Sequence, residues 1–472
     1  FFFIYTEIDD LFGNFNLIHI DKKNNVIKFV KDFSNSFDSF LFKNNERIIM
    51  TNNPLLIPKK GLGLDYQSIA QYFLQSTGFF PMNYFFKGIS KIMPGSIFTI
   101  DTDFQVKFEK QKIQNKEITF ESFSNAFDEI IKKNILLNNS EKKSVDLTGG
   151  YDTRLITACF LKNNANFISV VHGEDDKEVQ YVKSIANKLN LELKVLRIGE
   201  KVDLFLRDWE KFVFLSGGYY NLFETLKEGI RTTLRAQFSS YKVGGSMGEV
   251  LRDKWFVDMY RRSRLKESTI QEVITEKLLD CDVPYEYLSP DCKHWIRKYI
   301  QSYENELHEY LKNNKDLDLS QQFMNFIYTH YTQGWNGCLY NFYNNIVSLI
   351  APFMDNQFYL NCLNVNERFR KNASAMLRAI NGFYPKFKKI KFISGEKCEE
   401  LKVLNLLYTI VIQLAVNIIR IRFSVNSPKK AYDNAMWLRI LFKQNDFKSK
   451  ILLKNDDFNF IIPHSKTDLL MN

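Results

Sequence analysis

The chain has 472 residues, of which 45% are hydrophobic and 25% charged, so it can fold around more than one hydrophobic core, and two domains are expected. Its formal net charge of +10 is spread along the chain rather than gathered in one stripe, which disfavours a nucleic-acid-binding protein. The six cysteines form no C-x-x-C pair and the histidines no H-x-x-x-H, so neither a zinc site nor a dithiol redox centre is indicated. A reducing, cytoplasmic compartment is the expected location.

Residues 15–110 are predicted to be mainly strands. Short apolar runs rich in Ile, Val and Phe, separated by turn residues, predict strands over 15–20, 26–30, 39–42, 47–51, 96–101 and 105–109. One helix is predicted over 66–75, where Ile69 and Phe73 form an apolar face. The polar residues 110–120 predict a domain boundary.

Strands and helices alternate beyond this boundary. Helices are predicted over 123–137, 153–161 and 177–189, and strands over 144–147, 167–171 and 193–198. Alternation of this kind is typical of βαβ units and of a mostly parallel sheet. From about residue 256 onward the sequence predicts helices only.

Two later segments bear on whether the protein binds an anion or a membrane. A basic cluster is predicted to be a solvated helix face, or alternatively a site for phosphate or an acidic substrate; it comprises Arg261, Arg262, Arg264 and Lys266. The apolar run 403–419 is interrupted by polar residues on a broadly common face, which favours an amphipathic helix over a membrane span.

The most informative stretch for chemistry lies where the first strand of the second region turns into a helix. It reads V-D-L-T-G-G-Y-D-T-R over 145–154. Gly149 and Gly150 allow a sharp turn and a close approach of ligand to backbone. The hydroxyls of Thr148 and Thr153, with the N–H groups of the helix start, can hold phosphate oxygens. Asp152 fits beside phosphates if a Mg²⁺ ion lies between them; a Gly-Gly turn with a capping aspartate is the alternative.

This loop resembles the S-G-G-x-D-S loop (PP-loop) of the ATP pyrophosphatases, which grip the β,γ-pyrophosphate and cleave ATP to AMP. Thr stands in place of Ser at both hydroxyl positions, and the G-x-x-x-x-G-K-[ST] pattern of kinases is absent. The resemblance implies an ATP site made of Leu147, Thr148, Gly149, Gly150, Tyr151, Asp152, Thr153 and Arg154, with Val171 near the adenine and Gly245 on a second loop.

Four further segments narrow the resemblance to one family. The helix at 65–73 and the run 84–96, with its Pro94-Gly95 turn, are similar to the end of the glutaminase domain in asparagine synthetases. Residues 242–251 stand where that family has its "G.GGDE.fgGY" loop, and 352–355 resemble its "PFLD" element. The resemblance therefore spans nearly the whole chain. The β-lactam synthetases belong to the same family.

The resemblance implies an α/β protein with two domains. Residues 1–115 would form a partial, β-rich glutaminase-like domain of the Ntn type. Residues 116–472 would form a parallel-sheet ATP-pyrophosphatase domain with a large helical C-terminal part. No cysteine precedes Cys159, so glutamine hydrolysis by this chain is not expected.

The implied activity is that of an asparagine-synthetase-like carbon–nitrogen ligase that uses ATP and Mg²⁺. A small-molecule carboxylate would attack the α-phosphorus, pyrophosphate would leave, and ammonia or an amine would displace AMP. Mg²⁺ would bind Asp152 and Glu249. The catalytic candidates are Glu249, Lys388 and Lys391, with Lys389 an equal alternative, and Glu178 is either functional or a carboxylate that favours the helix dipole. No nucleic acid and no membrane span are expected, and self-association is left open.

Two departures from the family pattern motivate a rival hypothesis. Gly245 and Gly248 stand where the family has acidic residues, so one metal-binding acid is missing. A catalytically inactive, nucleotide-binding or scaffold protein is therefore the alternative function. An RNA-thiolating enzyme with the same loop is disfavoured, because the paired cysteines of such enzymes are absent.

Overall fold

The computed structural model describes thirteen segments of the chain. They are residues 13–74, 83–103, 105–110, 119–136, 141–174, 176–199, 202–218, 222–252, 289–317, 319–331, 337–363, 367–370 and 373–392. The basic cluster at 261–266 and the amphipathic helix predicted over 403–419 lie outside the described residues.

The N-terminal region contains two antiparallel sheets. The first has the order β1-β2-β6-β7, and its strands are β1 (Asn16–Asp21), β2 (Val26–Lys31), β6 (Ser96–Ile100) and β7 (Val106–Lys110). The second has the order β4-β3-β5, and its strands are β3 (Phe40–Lys43), β4 (Ile48–Thr51) and β5 (Ile89–Lys91). The six strands predicted here are confirmed to within one or two residues, because each combines an apolar run with flanking turn residues.

A small apolar core joins these two sheets. Phe29 and Phe98 are direct partners on β2 and β6, with ring centroids 4.9 Å apart. They pack in one buried cluster with Leu41 of β3 and Ile92. Cross-strand aromatic pairs of this kind stabilise a sheet and fix its register.

The second sheet system is a five-stranded parallel sheet in the order β10-β9-β8-β11-β12. Its strands are β8 (Lys143–Asp146), β9 (Phe167–His172), β10 (Leu193–Leu196), β11 (Tyr241–Val243) and β12 (Ser348–Ile350). The parallel sheet predicted from the βαβ pattern is therefore confirmed, whereas β12 lies in the region for which only helices were predicted. A three-residue strand carries too little periodicity to be recognised, and its pairing with β11 defines it.

Helices cover both faces of the parallel sheet and build the rest of the described chain. They are α1 (Tyr66–Leu74), α2 (Phe120–Leu136), α3 (Tyr151–Lys162), α4 (Lys177–Leu189), α5 (Val202–Leu215), α6 (Leu222–Ala236), α7 (Pro290–Asn313), α8 (Leu319–Tyr331), α9 (Gly337–Asn344), α10 (Asn356–Leu363), α11 (Glu367–Arg370) and α12 (Ser374–Phe383). Ile168 and Val170 of β9 pack against Leu234 of α6, while Val171 joins the main core with α3 and α4. No helix in the described ranges has the length and apolar character needed to cross a membrane.

The antiparallel region and the helical region pack directly on each other. The amide of Phe33 donates to Asn356 Oδ1 at 2.9 Å, and a Cβ on Gly337 would lie 2.1 Å from Asn35 Nδ2. Asp355, the last residue of the element that resembles "PFLD", accepts from the Gly13 amide at 2.7 Å and from the Phe358 amide at 3.2 Å. In this structure Asp355 therefore joins the start of the described chain to α10.

Candidate functional site

The candidate site lies at the carboxyl ends of two neighbouring parallel strands. From β8 the chain runs outward through β9 and β10, then returns to add β11 on the opposite side of β8. In open parallel sheets, ligands bind in the crevice where the strand order reverses in this way. The loops 147–150 and 244–248, which follow β8 and β11, flank that crevice and are called the first loop and the second loop below.

The first loop closes on itself through two threonine hydroxyls. Thr148 Oγ1 and Thr153 Oγ1 lie 2.8 Å apart, and the Thr148 amide donates to Thr153 Oγ1 at 3.1 Å. The Gly150 amide donates to Thr148 Oγ1, also at 3.1 Å. The two hydroxyls predicted to hold phosphate oxygens are therefore side by side at the start of α3.

The N-terminus of α3 has no side-chain cap from its N-cap residue. Gly150 occupies that position in an extended conformation, with φ −85° and ψ 175°. The positive end of the helix dipole and its first amides favour an anion here. Glu178, in the first turn of α4, already places Oε1 3.4 Å from the Gly149 amide. A negatively charged oxygen thus lies against the first loop within the protein itself.

Asp152, the predicted Mg²⁺ ligand, forms an ion pair. Nη2 of Arg252 donates to Asp152 Oδ2 at 2.6 Å, and both side chains are largely buried, with exposed fractions of 23% and 17%. The pair joins the first turn of α3 to the residue just after the short 3₁₀ helix Gly248–Leu251. Arg252 neutralises the carboxylate at the point where a cation was expected.

The second loop lies directly on Asp152. A Cβ added to Gly248 would be 2.5 Å from both Cγ and Oδ1 of Asp152, and one added to Gly245 would be 2.9 Å from Asp152 Cβ. Contacts this short require glycine at both positions unless the neighbouring atoms move. The aspartate that the family resemblance expects at position 248 therefore has no room in this arrangement.

Glu249, the second predicted Mg²⁺ ligand, is buried within the 3₁₀ helix. Burial first, and the Glu249 charge second, raise the pKa of the Tyr328 phenol on α8 well above its usual range. Within the described ranges no three His, Cys, Asp or Glu side chains form a group that could hold a metal ion. The residues present at the two loops do not fit a pre-formed Mg²⁺ site with two carboxylates, because Arg252 occupies Asp152 and glycine stands at 248.

Arg154, which was predicted to contact a polyanion, is fully buried. Its guanidinium donates to the Tyr181 hydroxyl and to the Lys391 carbonyl, the latter at 2.8 Å, and lies 4.1 Å from the centroid of the Phe392 ring. This structure thus uses Arg154 to hold the segment 390–392 against α3.

The same contacts distinguish between the late lysines. Lys391 precedes Phe392, whose ring stacks on Tyr151 at a centroid distance of 4.2 Å, so its backbone lies next to the first turn of α3. Lys388 and Lys389 end the 3₁₀ helix Pro385–Lys389, and all three lysines are exposed. Lys391 is therefore the candidate whose backbone contacts the elements of the first loop.

Two other predicted residues support the loop instead of lining it. Leu147 is completely buried, and its amide donates to the Val170 carbonyl at 2.8 Å. Val171 is 1% exposed and belongs to the main core, so only its backbone is available to an adenine ring.

A network of charged side chains beneath the crevice was not predicted from the sequence. Arg235 of α6 donates to Asp146 Oδ1 and lies 2.9 Å from His172 Nε2. Burial opposes ionisation of Asp146, but Arg235 and Lys242 outweigh it and hold the pKa of that carboxyl well below its usual range. Burial lowers the pKa of Lys242 to about 8. The sequence did contain a signal for this network, because Asp146, His172 and Lys242 are polar residues at or near the carboxyl ends of apolar strands.

Comparison with known proteins does not assign the chain to a family. No protein-family model matches the chain, and no curated protein is detectably similar to it.

Proposed function

We propose that the crevice between the first and second loops binds ATP, and that the protein is an ATP-dependent, amide-forming ligase that adenylates a substrate carboxylate. One observation supports this most strongly. At the strand-order reversal of a parallel sheet, a glycine-capped helix start presents the paired hydroxyls of Thr148 and Thr153.

The proposed roles of the residues follow from their positions. Thr148 and Thr153 would donate to oxygens of the leaving pyrophosphate, and the α3 N-terminus would stabilise its charge. Arg252, oriented by Asp152, would add positive charge at the first turn of α3, and so would Lys391, whose carbonyl accepts from Arg154 of the same helix. Catalysis of this kind is mainly positioning and charge neutralisation.

The reaction would proceed in two steps. A carboxylate oxygen of the acid attacks the α-phosphorus of ATP and the bond to the β-phosphate oxygen breaks, which releases pyrophosphate. Ammonia or an amine then attacks the acyl carbon, AMP leaves, and the nitrogen loses a proton. Because the described residues do not form a two-carboxylate Mg²⁺ site, no step is assigned to a protein-held metal ion.

Carboxylate-dependent exchange of labelled pyrophosphate into ATP tests this proposal, since it detects adenylate formation before the amine is known. The assay is run with a panel of acids, and separately with ammonia while AMP and ADP are measured. We expect exchange with at least one acid and AMP as the nucleotide product. Thr153→Val, which keeps the shape but removes the hydroxyl, should lower the exchange rate. Formation of ADP alone would contradict the mechanism.

A catalytically inactive nucleotide-binding protein is the second candidate. The Asp152–Arg252 ion pair favours it, because the carboxylate expected to bind a metal is already neutralised. ATP binding that Thr153→Val weakens, without pyrophosphate exchange for any acid in the panel, would support this candidate over the ligase.

A further inference from the structure

A second concave surface lies on the N-terminal region and is lined by residues 42–44, 47, 58, 60–63 and 87–88. We call it the basic cleft. Its volume is about 520 Å³, and four of its lining residues are cations, namely Lys43, Arg47, Lys60 and Lys87. None of the described residues that line it is acidic; Glu46, in the turn between Asn44 and Arg47, is exposed and is not part of the lining.

The four cations of the basic cleft are exposed. None of their side chains forms an ion pair with a residue in the described ranges. By contrast, Lys91 on the neighbouring β5 is buried and paired with Asp38 at 3.0 Å. Four like charges around one concavity create a positive potential there, which favours the binding of an anion.

The backbone around the cleft is held in place without a ligand. The Lys59 ammonium, one residue before Lys60, donates to the carbonyls of Pro54, Leu55 and Ile57 at 3.0, 2.9 and 2.7 Å. The Leu62 amide donates to the Lys59 carbonyl at 3.0 Å. Because this backbone is already ordered, binding of a ligand costs less conformational entropy.

Two further backbone hydrogen bonds hold this part of the chain in place. The Lys87 amide donates to the Gly63 carbonyl at 2.9 Å and so joins two of the segments, while the Asn44 amide donates to the Arg47 carbonyl at 3.1 Å and closes the turn between β3 and β4. Gly61 has φ +83°, a conformation that favours glycine, and a Cβ there would meet nothing within 4 Å.

We propose that the basic cleft binds a small, multiply phosphorylated molecule. Its volume falls within the range of roughly 300–1,000 Å³ that small-molecule pockets have. Arg47 can bind phosphate oxygens in a bidentate manner, and the lysines act as point charges. Nucleic acid is a poorer match, since the aromatic residue that lines the cleft, Phe42, is buried and offers no stacking surface. This proposal does not depend on the function proposed for the first loop.

Isothermal titration with inorganic tripolyphosphate, at physiological salt, tests the proposal. Arg47→Ala combined with Lys87→Ala should weaken binding at least about tenfold, because two charge-assisted contacts to phosphate are lost. The matched control combines Lys28→Ala with Lys107→Ala, which removes two exposed lysines from the other antiparallel sheet. It should bind like the wild type. Circular dichroism checks the fold of each variant.

Three outcomes would overturn the proposal. One is equal loss of binding in the cleft variant and in the Lys28/Lys107 control, which would indicate general charge attraction. Another is equally tight binding of citrate, which carries three carboxylates and no phosphate. The third is displacement of tripolyphosphate by a short single-stranded RNA at a lower concentration than that of the tripolyphosphate, which would favour a nucleic-acid site. Retention of binding by the control, together with its loss in the cleft variant, supports the proposal.

Discussion

Arg252 donates to Asp152 across 2.6 Å and so couples the first turn of α3 to the end of the 3₁₀ helix Gly248–Leu251, 100 positions later in the sequence. The pair has two consequences for the crevice. It neutralises the one carboxylate on the first turn of α3, and it holds a guanidinium beside that turn. The guanidinium of Arg252 also lies over the Tyr151 ring, with its carbon 5.9 Å from the ring centroid. This contact keeps the Arg252 side chain over the same helix start.

Removing Arg252 should therefore change how nucleotide binds. In Arg252→Ala the Asp152 carboxylate is left without its counter-charge and repels the phosphates, so ATP affinity measured in EDTA should fall about tenfold or more. Added Mg²⁺ should restore much of the affinity, because a cation can then bind between Asp152 and the phosphates. Isothermal titration with and without Mg²⁺ measures both effects.

Two variants serve as controls for this experiment. Arg252→Lys keeps the positive charge and should retain most of the affinity. Arg207→Ala removes an exposed arginine, paired with its neighbour Asp208, from α5 and should have no effect. ATP binding in EDTA that is the same for Arg252→Ala and wild type would show that the ion pair does not act on the ligand.

Gly248 is predicted to be essential for the packing of the second loop. In Gly248→Ala the new Cβ would lie 2.5 Å from the Asp152 carboxyl, so either the loop or the Asp152–Arg252 pair must shift. We expect a loss of about 1–3 kcal/mol in the free energy of unfolding, as for other overpacked sites. Urea denaturation measures it.

Gly382 provides the matched control. It lies in α12, and a Cβ there would meet nothing within 4 Å. Gly382→Ala should raise the free energy of unfolding by roughly 0.5–1 kcal/mol, because alanine favours a helix over glycine. An identical denaturation midpoint for Gly248→Ala and wild type would mean that the close contact is readily relieved.

The sequence predicted the elements around the first loop better than the site itself. The helix over 177–189 agrees with the structure at both ends, and the strand at 167 differs by one residue. Long apolar periodicity and flanking turn residues carry that information locally. The Asp152–Arg252 pair depends on contacts between distant segments, and no local pattern encodes it. Arg154 is likewise buried because the segment 390–392 packs onto α3. The position of an arginine after a glycine-rich loop does not predict that packing.

Glu228 and Arg231 of α6 form an ion pair that extends the charged network at Lys242, and this pair should make stability depend on pH. Burial opposes ionisation of Glu228, but Arg231 and Lys242 outweigh it and lower the pKa of that carboxyl to about 2 from 4.5. A carboxyl whose pKa is lowered on folding contributes stability above its unfolded pKa and loses it as the pH falls through the folded value. The contribution of Glu228, about 3 kcal/mol at neutral pH, should therefore disappear between pH 4.5 and 2.

The variant Glu228→Gln isolates this contribution. Glutamine keeps an acceptor for the Tyr343 hydroxyl, which donates to Glu228 at 2.6 Å, but loses the charge that pairs with Arg231. Urea denaturation of both proteins at pH 7, 4 and 3 gives the difference in unfolding free energy. We expect that difference to be largest at pH 7 and to shrink at pH 3. A difference that is constant over this range would assign the effect to packing.

The lysines after α12 offer the sharpest test of the proposed chemistry. Lys391 follows Ile390 in the segment that Arg154 and Tyr151 hold against the start of α3, whereas Lys388 ends an exposed 3₁₀ helix. If Lys391 stabilises the charge of the leaving pyrophosphate, Lys391→Ala should lower pyrophosphate exchange by a factor on the order of 10²–10³. Lys388→Ala, an exposed change of the same kind, should stay within about twofold of wild type.

A split between kcat and KM adds a readout that a merely structural role would not move. Loss of a charge that acts in the transition state lowers kcat, while loss of general attraction for ATP raises KM with kcat unchanged. We expect the first result for Lys391→Ala and neither for Lys388→Ala. Because both side chains are exposed, the two variants should unfold at the same urea concentration as wild type. A large fall in kcat for Lys388→Ala with none for Lys391→Ala would reverse the assignment and place the catalytic lysine on the 3₁₀ helix.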